Sequence, residues 1–479
     1  MQFDPRALEP VARADMLRRL PPPWPEDHLR EDIARQNAAE KRCVVALDDD
    51  PTGTQTVHDV WVLTSWSEED LRFALSSGET CFYILTNSRS LPLDQAKAIN
   101  AEIAETLAIA AQAEGRKVSL VSRSDSTLRG HFPGEVDALV DAWEQATGES
   151  FTGVCIVPFF PEGGRFTVDD VHWVEEEDKW IPASQTPYAR DPVFGYEQSI
   201  LPLWIEEKTG GRTKSDEVVS ISLAQLRSGG PHAVAEQVRQ LKKGIVLVVN
   251  AAAYRDLEVF IRALHEVENK RFLFRSAASL VKVAAGIPDR ELLSRDELLQ
   301  GTAGSHGLIV CGSYVPKSTA QVHAALALPN MCGVEFPVRE VINAERRRQV
   351  IYEVSSALDQ GLEAGQDVLV FTSRERITLQ DQNQNLNLGQ LISRSLMEVV
   401  RRLKQEPRYV IGKGGITSND LATKALDVRA ARVLGQVLPG VPVWRLGQES
   451  RWPGVPYVVF PGNVGDEDSL ADVIRLLSE

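Results

Sequence analysis

The stretch Lys117-Val118-Ser119-Leu120-Val121-Ser122-Arg123-Ser124-Asp125-Ser126-Thr127-Leu128-Arg129-Gly130 decides how the chain is read. Its first five residues form an apolar, β-prone run of the kind a buried strand presents. The nine that follow place two guanidiniums (Arg123, Arg129), one carboxylate (Asp125) and the hydroxyls of Ser122, Ser124, Ser126 and Thr127 at that strand's end. Open α/β sheets bind ligands beyond the carboxyl ends of their strands. Arginine grips a carboxylate or phosphate bidentately, and an aspartate among hydroxyls suits polyol hydrogen bonding or proton removal. The same residues also fit a helix start, with Asp125 or Ser126 as N-cap ahead of a helix containing Val136 and Leu139. Both readings stay open on this stretch alone.

Outward from it, short apolar runs at 43–47, 60–63, 81–85, 118–121, 154–157, 245–249 and 272–274 alternate with amphipathic stretches such as 94–113 and 234–241. Such alternation predicts a largely parallel sheet. Residues 162–215 break the rhythm with Gly163-Gly164-Arg165, the acidic run Glu175-Glu176-Glu177-Asp178, several tryptophans and Asp191-Pro192. A segment of that length without clear periodicity reads as a functional covering loop or hairpin, or as a solvated surface insertion. The apolar pattern stops again over 286–304, and a second α/β series starts at Gly307. Its helix over 388–404 lines Leu388, Leu391, Ile392, Leu396, Val399, Val400 and Leu403 along one face, with strand-like runs at 368–371, 409–411 and 457–460. The expected fold class is α/β: two α/β domains with mainly parallel sheets and an interdomain cleft. The expected boundaries are an N-terminal extension over 1–40, which holds Pro21-Pro22-Pro23-Trp24-Pro25, a first domain over 41–285, a linker over 286–304 and a second domain over 305–479.

The 479 residues are 43% hydrophobic and 25% charged, the composition of a soluble globular protein with substantial cores. A net charge of −15 argues against nonspecific nucleic-acid binding and against attachment to anionic lipid. An anionic small ligand then needs a locally basic pocket, which turns attention to clustered arginines. The five cysteines are Cys43, Cys81, Cys155, Cys311 and Cys332, four of them in or beside apolar runs, as befits small buried hydrophobes in a reducing cytosol. The N-terminus carries no apolar leader-like run and no segment approaches membrane-spanning length, so the expected location is cytoplasmic.

Four more constellations carry chemistry. Asp48-Asp49-Asp50-Pro51-Thr52-Gly53-Thr54 ends an apolar strand with three mutually repelling carboxylates, which need a counter-charge, a metal such as Mg²⁺ or hydrogen-bond donors. A Pro-Gly turn with solvated aspartates is the plainer reading. Thr86-Asn87-Ser88-Arg89-Ser90 is a third polar strand end, with another arginine. Gly412-Lys413-Gly414-Gly415-Ile416-Thr417-Ser418-Asn419-Asp420 joins a strand to a helix expected over 421–426, and such glycines let backbone N–H groups approach phosphate oxygens. It matches neither G-x-x-x-x-G-K-[ST] nor G-x-G-x-x-G, and a tight strand–helix turn fits it nearly as well. Gly312-Ser313 and Phe460-Pro461-Gly462-Asn463-Val464-Gly465 complete a set of three glycine-containing strand ends in the second domain, enough to line a nucleotide site. The sequence contains no zinc-type Cys/His cluster and no G-x-S-x-G.

Together these motifs resemble one family. Asp49-Asp50-Pro51-Thr52-Gly53 is similar to its D-D-x-T-G signature, and 86–90 to a loop it carries. Arg123 to Gly130 resembles its K-x-D-S-T-L-R-G, with Arg for Lys, and 158–165 its P-x-F-P-x-x-G-R segment. Gly312-Ser313 with Gln321 matches a G-S…Q element, and Gly414-Gly415-Ile416-Thr417 a G-G-[DE]-T loop. These are the motifs of the four-carbon acid sugar kinases, and the likeness runs in order over roughly 42–475. It implies that 41–285 binds a sugar acid of threonate, erythronate or 3-oxotetronate type and that 305–479 binds ATP. Carried over by position, Asp49, Asp50, Arg89, Arg123, Asp125, Ser126 and Arg129 hold the acid, while Ser313, Gly414, Gly415, Ile416, Thr417 and Gly462 hold the nucleotide. Two positions depart from the pattern: Ile416 replaces an acidic residue, and Phe460 stands where the family carries a lysine.

The resemblance thus implies a Mg²⁺- and ATP-dependent kinase that phosphorylates a terminal hydroxyl of a four-carbon sugar acid. Arg123 and Arg129 would grip the acid's carboxylate, and Asp125 or Asp50 would orient or deprotonate the hydroxyl. The expected partners are the sugar acid and ATP, without nucleic acid or membrane, and a homodimer is compatible with the sequence. The rival is a non-catalytic sugar-acid or nucleotide sensor, which the Ile416 and Phe460 departures allow. A weaker third reading is an ATP-dependent ligase or aldolase-like enzyme.

Overall fold

The computed structural model describes residues 8–313, 315–373, 382–462 and 464–478. The chain folds into two compact α/β units: one comprises the chain up to Val57 with Ser65–Asp289, the other His58–Thr64 with the chain from Arg290. Among the described residues, no helix is long and apolar enough to cross a membrane.

In the first unit seven parallel strands run in the spatial order Val219–Ile221, Ile245–Val249, Gly153–Val157, Phe272–Ser276, Lys117–Arg123, Arg42–Asp48 and Cys81–Leu85. The central strands read as continuous apolar runs because helices cover both faces of a parallel sheet, and Val44, Val45, Ala46, Phe82 and Ile84 are all fully buried. The Ala-rich helix Leu93–Glu114 contains neither Gly nor Pro until Gly115 ends it at φ +60°. It buries Ile103 and Leu107, each worth about 1.5–3 kcal/mol. The helix Leu29–Ala39 also belongs to this unit: Asn37 donates to Ala284 O at 2.8 Å and Arg30 pairs with Glu258 at 2.6 Å. The pairing register has a consequence for function. Val157, Ser276, Arg123, Asp48 and Leu85 lie level across five neighbouring strands, so the chain leaves all five at one rim.

Within 162–215 the structure forms regular elements. Arg165–Val168, Val171–Glu176 and Lys179–Pro182 make an antiparallel meander, joined at its edge by Val11–Ala12. The first hairpin turns through Asp169 and Asp170, both at positive φ, as a two-residue hairpin turn requires. Trp180 stacks on Phe166 at 4.4 Å, and His172, Trp173 and Trp180 are buried. The strands are four to six residues long, too short for their alternation to stand out against the acidic tip.

The second unit orders its strands Val60–Leu63, Ala430–Leu438, Val441–Leu446, Pro456–Phe460, Tyr409–Lys413, Gly307–Cys311, Asp367–Thr372 and Met331–Phe336. The first four pair antiparallel and the rest parallel. Its core gathers Leu298, Ile309, Leu369, Ile411, Val443, Val458, Leu470 and Ile474. The expected helix over 388–404 is Gln382–Arg402, with Leu396, Val399 and Val400 buried. The helix expected over 421–426 instead begins at Gly415, runs to Asp420 and widens into a π-turn over Leu421–Ala425. Cys43, Cys81, Cys155 and Cys311 are buried, as their apolar settings predict, and Cys332 is half-buried.

Candidate active site

The level rim of the first unit explains why three polar motifs far apart in sequence meet. Asp48 and Arg123 are partners on adjacent strands, and their side chains form an ion pair at 2.7 Å with 2% and 6% exposure. Backbone bonds stitch the loops beyond: Ser124 N donates to Ser276 O at 2.8 Å, and Thr86 N to Asp48 O at 2.9 Å. Gly53 is required here because a Cβ would lie 1.8 Å from Asp48 Oδ2.

Above this pair the charges interleave. Arg89 Nε donates to Asp49 Oδ2 at 3.1 Å, and its guanidinium lies 3.6 Å from Asp50 and 3.8 Å from Asp125. Ser124 Oγ donates to Asp49 at 2.6 Å. Arg129 Nε donates to Asp125 Oδ2 at 2.8 Å, Thr127 Oγ1 donates to the same oxygen, and Asp191 lies 3.6 Å from Arg129. Tyr188 stacks 5.2 Å beneath the Arg129 guanidinium. Asp50 also closes the Pro51–Thr54 turn, accepting from Thr52 N at 2.9 Å. The helix that contains Val136 and Leu139 starts only at Gly134, so neither Asp125 nor Ser126 caps it. Of the seven sugar-acid candidates, Arg89, Arg129, Asp50 and Ser126 are half-buried, while Asp49, Arg123 and Asp125 are buried, the Asp125 side chain keeping 12% exposure.

Burial would raise the Asp125 carboxyl, but Arg89 and Arg129 outweigh it and hold the group far below the usual carboxylate range. Asp50 is lowered against burial by Arg89 and Thr52. Asp48 behaves oppositely: burial, helped by Asp49 and Asp50, pushes it up to about 7 against the pull of Arg123. The residues that sequence reasoning missed come mainly from the insertion: His172, Tyr188, Asp191 and Tyr196, with Arg275 from the neighbouring strand end. Asp191-Pro192 and the arginine at the end of 272–276 were the available signals.

Burial lowers His172 to about 4, so it folds as the neutral imidazole. The unfolded chain then binds more protons between pH 6.5 and 4. The stability tied to neutral His172 is intact above pH 6.5 and is lost as the pH falls toward 4, on the order of 3 kcal/mol. Acid titration of the urea midpoint is expected to show that limb, and His172→Gln to flatten it.

In the second unit, the three glycine-containing strand ends converge. A Cβ at Gly414 would meet Ser313 Cβ at 3.1 Å, one at Gly312 would meet Thr417 Oγ1 at 2.4 Å, and one at Gly462 would lie 3.7 Å from Ser313 Oγ. Gly414 N donates to Phe460 O at 2.8 Å, and Ser318 Oγ donates to Gly462 O at 3.1 Å. Ser313, Gly415 and Gly462 are half-buried, Thr417 is buried and Ile416 is 64% exposed. Asn463 lies outside the described residues. Lys413, not singled out in the sequence, is fully buried below the loop, donating to Pro461 O at 2.6 Å with its ammonium 4.3 Å from the Phe460 ring. Burial lowers it to about 7. Gly414 sits at φ +104°, a conformation that strains any other residue, so Gly414→Ala is expected to cost about 1–3 kcal/mol, read from the urea midpoint.

Residues 44–284 match a sugar-binding N-terminal domain family and residues 308–470 a nucleotide-binding C-terminal domain family. The chain is 26% identical over 410 residues to the D-erythronate kinase of Heliobacterium modesticaldum, covering 82% of this chain and 86% of that protein. It is 25% identical over 405 residues to the D-threonate kinase of Bordetella bronchiseptica, covering 83% and 86%. Among solved structures, a Salmonella typhimurium LT2 protein described provisionally as a tRNA synthase shares the fold at a TM-score of 0.67, with 16% identity over 91% of this chain and 99% of that one. A Haemophilus influenzae protein does so at 0.60, with 16% identity over 91% and 100%. With both domains matched in order, and with the strand-end motifs of each gathered into a cluster, the chain belongs to the four-carbon acid sugar kinase family.

Proposed function

We propose that the protein is an ATP-dependent kinase that phosphorylates the terminal hydroxyl of a four-carbon sugar acid of threonate, erythronate or 3-oxotetronate type. One observation carries the reading: Arg89 and Arg129, at 19% and 26% exposure, stand beside the half-buried Asp50 and the buried Asp125, whose side chain keeps 12% exposure, above a buried Asp48–Arg123 pair. Cations that can take a carboxylate and acceptors that can take hydroxyls are what a short polyol acid needs. In this reading Arg89 and Arg129 bind the carboxylate, Ser126 and Asp50 take hydroxyls, and Asp49 and Arg123 fix the groups above them. Asp125 orients the attacking hydroxyl. Held so firmly ionised, it serves as a hydrogen-bond acceptor, and a loose phosphoryl-transfer transition state asks for little more.

The glycine strand ends fit a triphosphate, since side chains at Gly312 and Gly414 would close the space their backbone leaves open. Ser313, Gly414, Gly415, Ile416, Thr417 and Gly462 would hold it, with Lys413 just beneath. Among the described residues no three His, Cys, Asp or Glu side chains are grouped to hold a metal ion, which suits Mg²⁺ carried mainly on phosphate oxygens. Mg²⁺ bound to ATP supplies neutralisation of the charge that develops on the phosphates. The substrate oxygen bonds to the terminal phosphorus as the bond to ADP breaks, and the hydroxyl's proton passes to solvent, so the products are a phosphorylated acid, ADP and a proton.

A second reading, a sensor without turnover, draws on the exposed Ile416 side chain, which stands where the family resemblance expects a carboxylate. Incubation with ATP, Mg²⁺ and a panel of four-carbon acids separates the two. ADP release with a phosphorylated acid seen by phosphorus NMR is the expected result. Acid and nucleotide binding without ADP release would favour the sensor.

A further inference from the structure

The loop at 125–129 is held by its backbone from outside. Arg275 Nη1 donates to Asp125 O at 3.3 Å, His172 Nε2 to Ser126 O at 2.7 Å, Tyr196 OH to Thr127 O at 2.8 Å, and Arg275 Nη2 to Arg129 O at 2.9 Å. His172, Tyr196 and Arg275 are 0%, 5% and 1% exposed. A carbonyl can only accept, so His172 Nε2 carries the proton, and its Nδ1 faces the Thr167 hydroxyl at 3.1 Å. Arg275 is an expensive group to bury: its Nε is buried without a hydrogen-bond partner, and its guanidinium rests 5.6 Å from the Trp204 ring. The loop it holds is itself strained, with buried Leu128 at φ +70°. Such a conformation persists only where its surroundings over-determine it.

We propose that Arg275, His172 and Tyr196 form a carbonyl clamp that holds the 125–129 loop in the shape that presents Asp125, Ser126 and Arg129 to the sugar acid. The meander at 165–182 and the segment that follows it are then a working part of the sugar-acid site, two of the three clamp residues coming from them. These are positioning residues, acting through peptide carbonyls. The functional half of this inference rests on the kinase reading above; the mechanical half does not.

Tyr196→Phe removes one oxygen, His172→Ala removes one donor, and His172→Gln restores an N–H near the position of Nε2. In the free protein, amide hydrogen exchange at 126–130 is expected to quicken in Tyr196→Phe and His172→Ala and to return toward wild type in His172→Gln. In turnover, KM for the acid is expected to rise about tenfold, the worth of one buried hydrogen bond, with KM for ATP unchanged. Unaltered exchange at 126–130 in folded variants, or equal rises in both KM values, would overturn the clamp. Should His172→Ala fail to fold, Tyr196→Phe decides alone. Exchange needs no ligand, so a wild-type protein that turns over no four-carbon acid removes the kinase reading while the clamp is still judged.

Discussion

Asp125→Asn is expected to lower turnover by about 10²-fold, the loss that follows when a reacting hydroxyl is no longer held in position, while an ATP analogue binds as it does to wild type. Asparagine keeps the volume and one acceptor oxygen but removes the charge that Arg129 meets at 2.8 Å and Arg89 at 3.8 Å. Arg129 is then left with Asp191, 3.6 Å away, as its remaining carboxylate partner, which draws the guanidinium from the place it takes at the acid's carboxylate. Both losses act on the acid, so calorimetry with a non-hydrolysable nucleotide should be unchanged. Because Arg89 and Arg129 hold Asp125 so far down, it contributes no ionisation to the kcat/KM profile between about pH 5 and 8. Wild-type turnover in Asp125→Asn would remove it from the reacting groups.

Arg123→Leu is expected to cost about 3–5 kcal/mol of stability, because it strips the counter-charge from a buried carboxylate. Asp48 is 2% exposed and already pushed up to about 7 by burial and by Asp49 and Asp50. Without Arg123 it rises further. A raised folded pKa means the native state holds more protons than the unfolded one between pH 3.8 and that value. The loss is therefore smallest near pH 4 and grows as the pH climbs past 7, which urea midpoints across that window would register. Asp48→Asn/Arg123→Met removes both charges and should recover most of the stability. The same double variant tests the part played by Arg123 in binding: recovered stability with wild-type acid affinity makes it a counter-ion only, and lost affinity makes it a ligand contact.

Much of this site was legible along the chain because parallel α/β sheets write their ligand sites in one idiom: an apolar run, then polar residues. Asp49-Asp50, Arg89 and Arg123-to-Arg129 each follow such a run, as do Gly312-Ser313, Gly414-Gly415 and Gly462. The insertion was not legible, since its short strands, acidic tip and Asp-Asp turn carry no long periodicity, and its aromatic residues find partners across the meander and on distant strand ends. Lys413 stands in the quoted glycine loop without a role of its own, because its burial under Pro461 appears only once the loop has folded.

Chemical identity and strand position were thus set by the residues in order, because side-chain type and a buried strand's run of apolar residues are local properties. Which charges stay available is a different matter. Asp48 and Arg123 neutralise each other because two strands pair in one register, leaving Arg89 and Arg129 above them, and His172, Tyr196 and Arg275 reach the loop from segments about 45 to 150 residues away. Desolvation and pairing depend on neighbours in space, and only the folded chain supplies those.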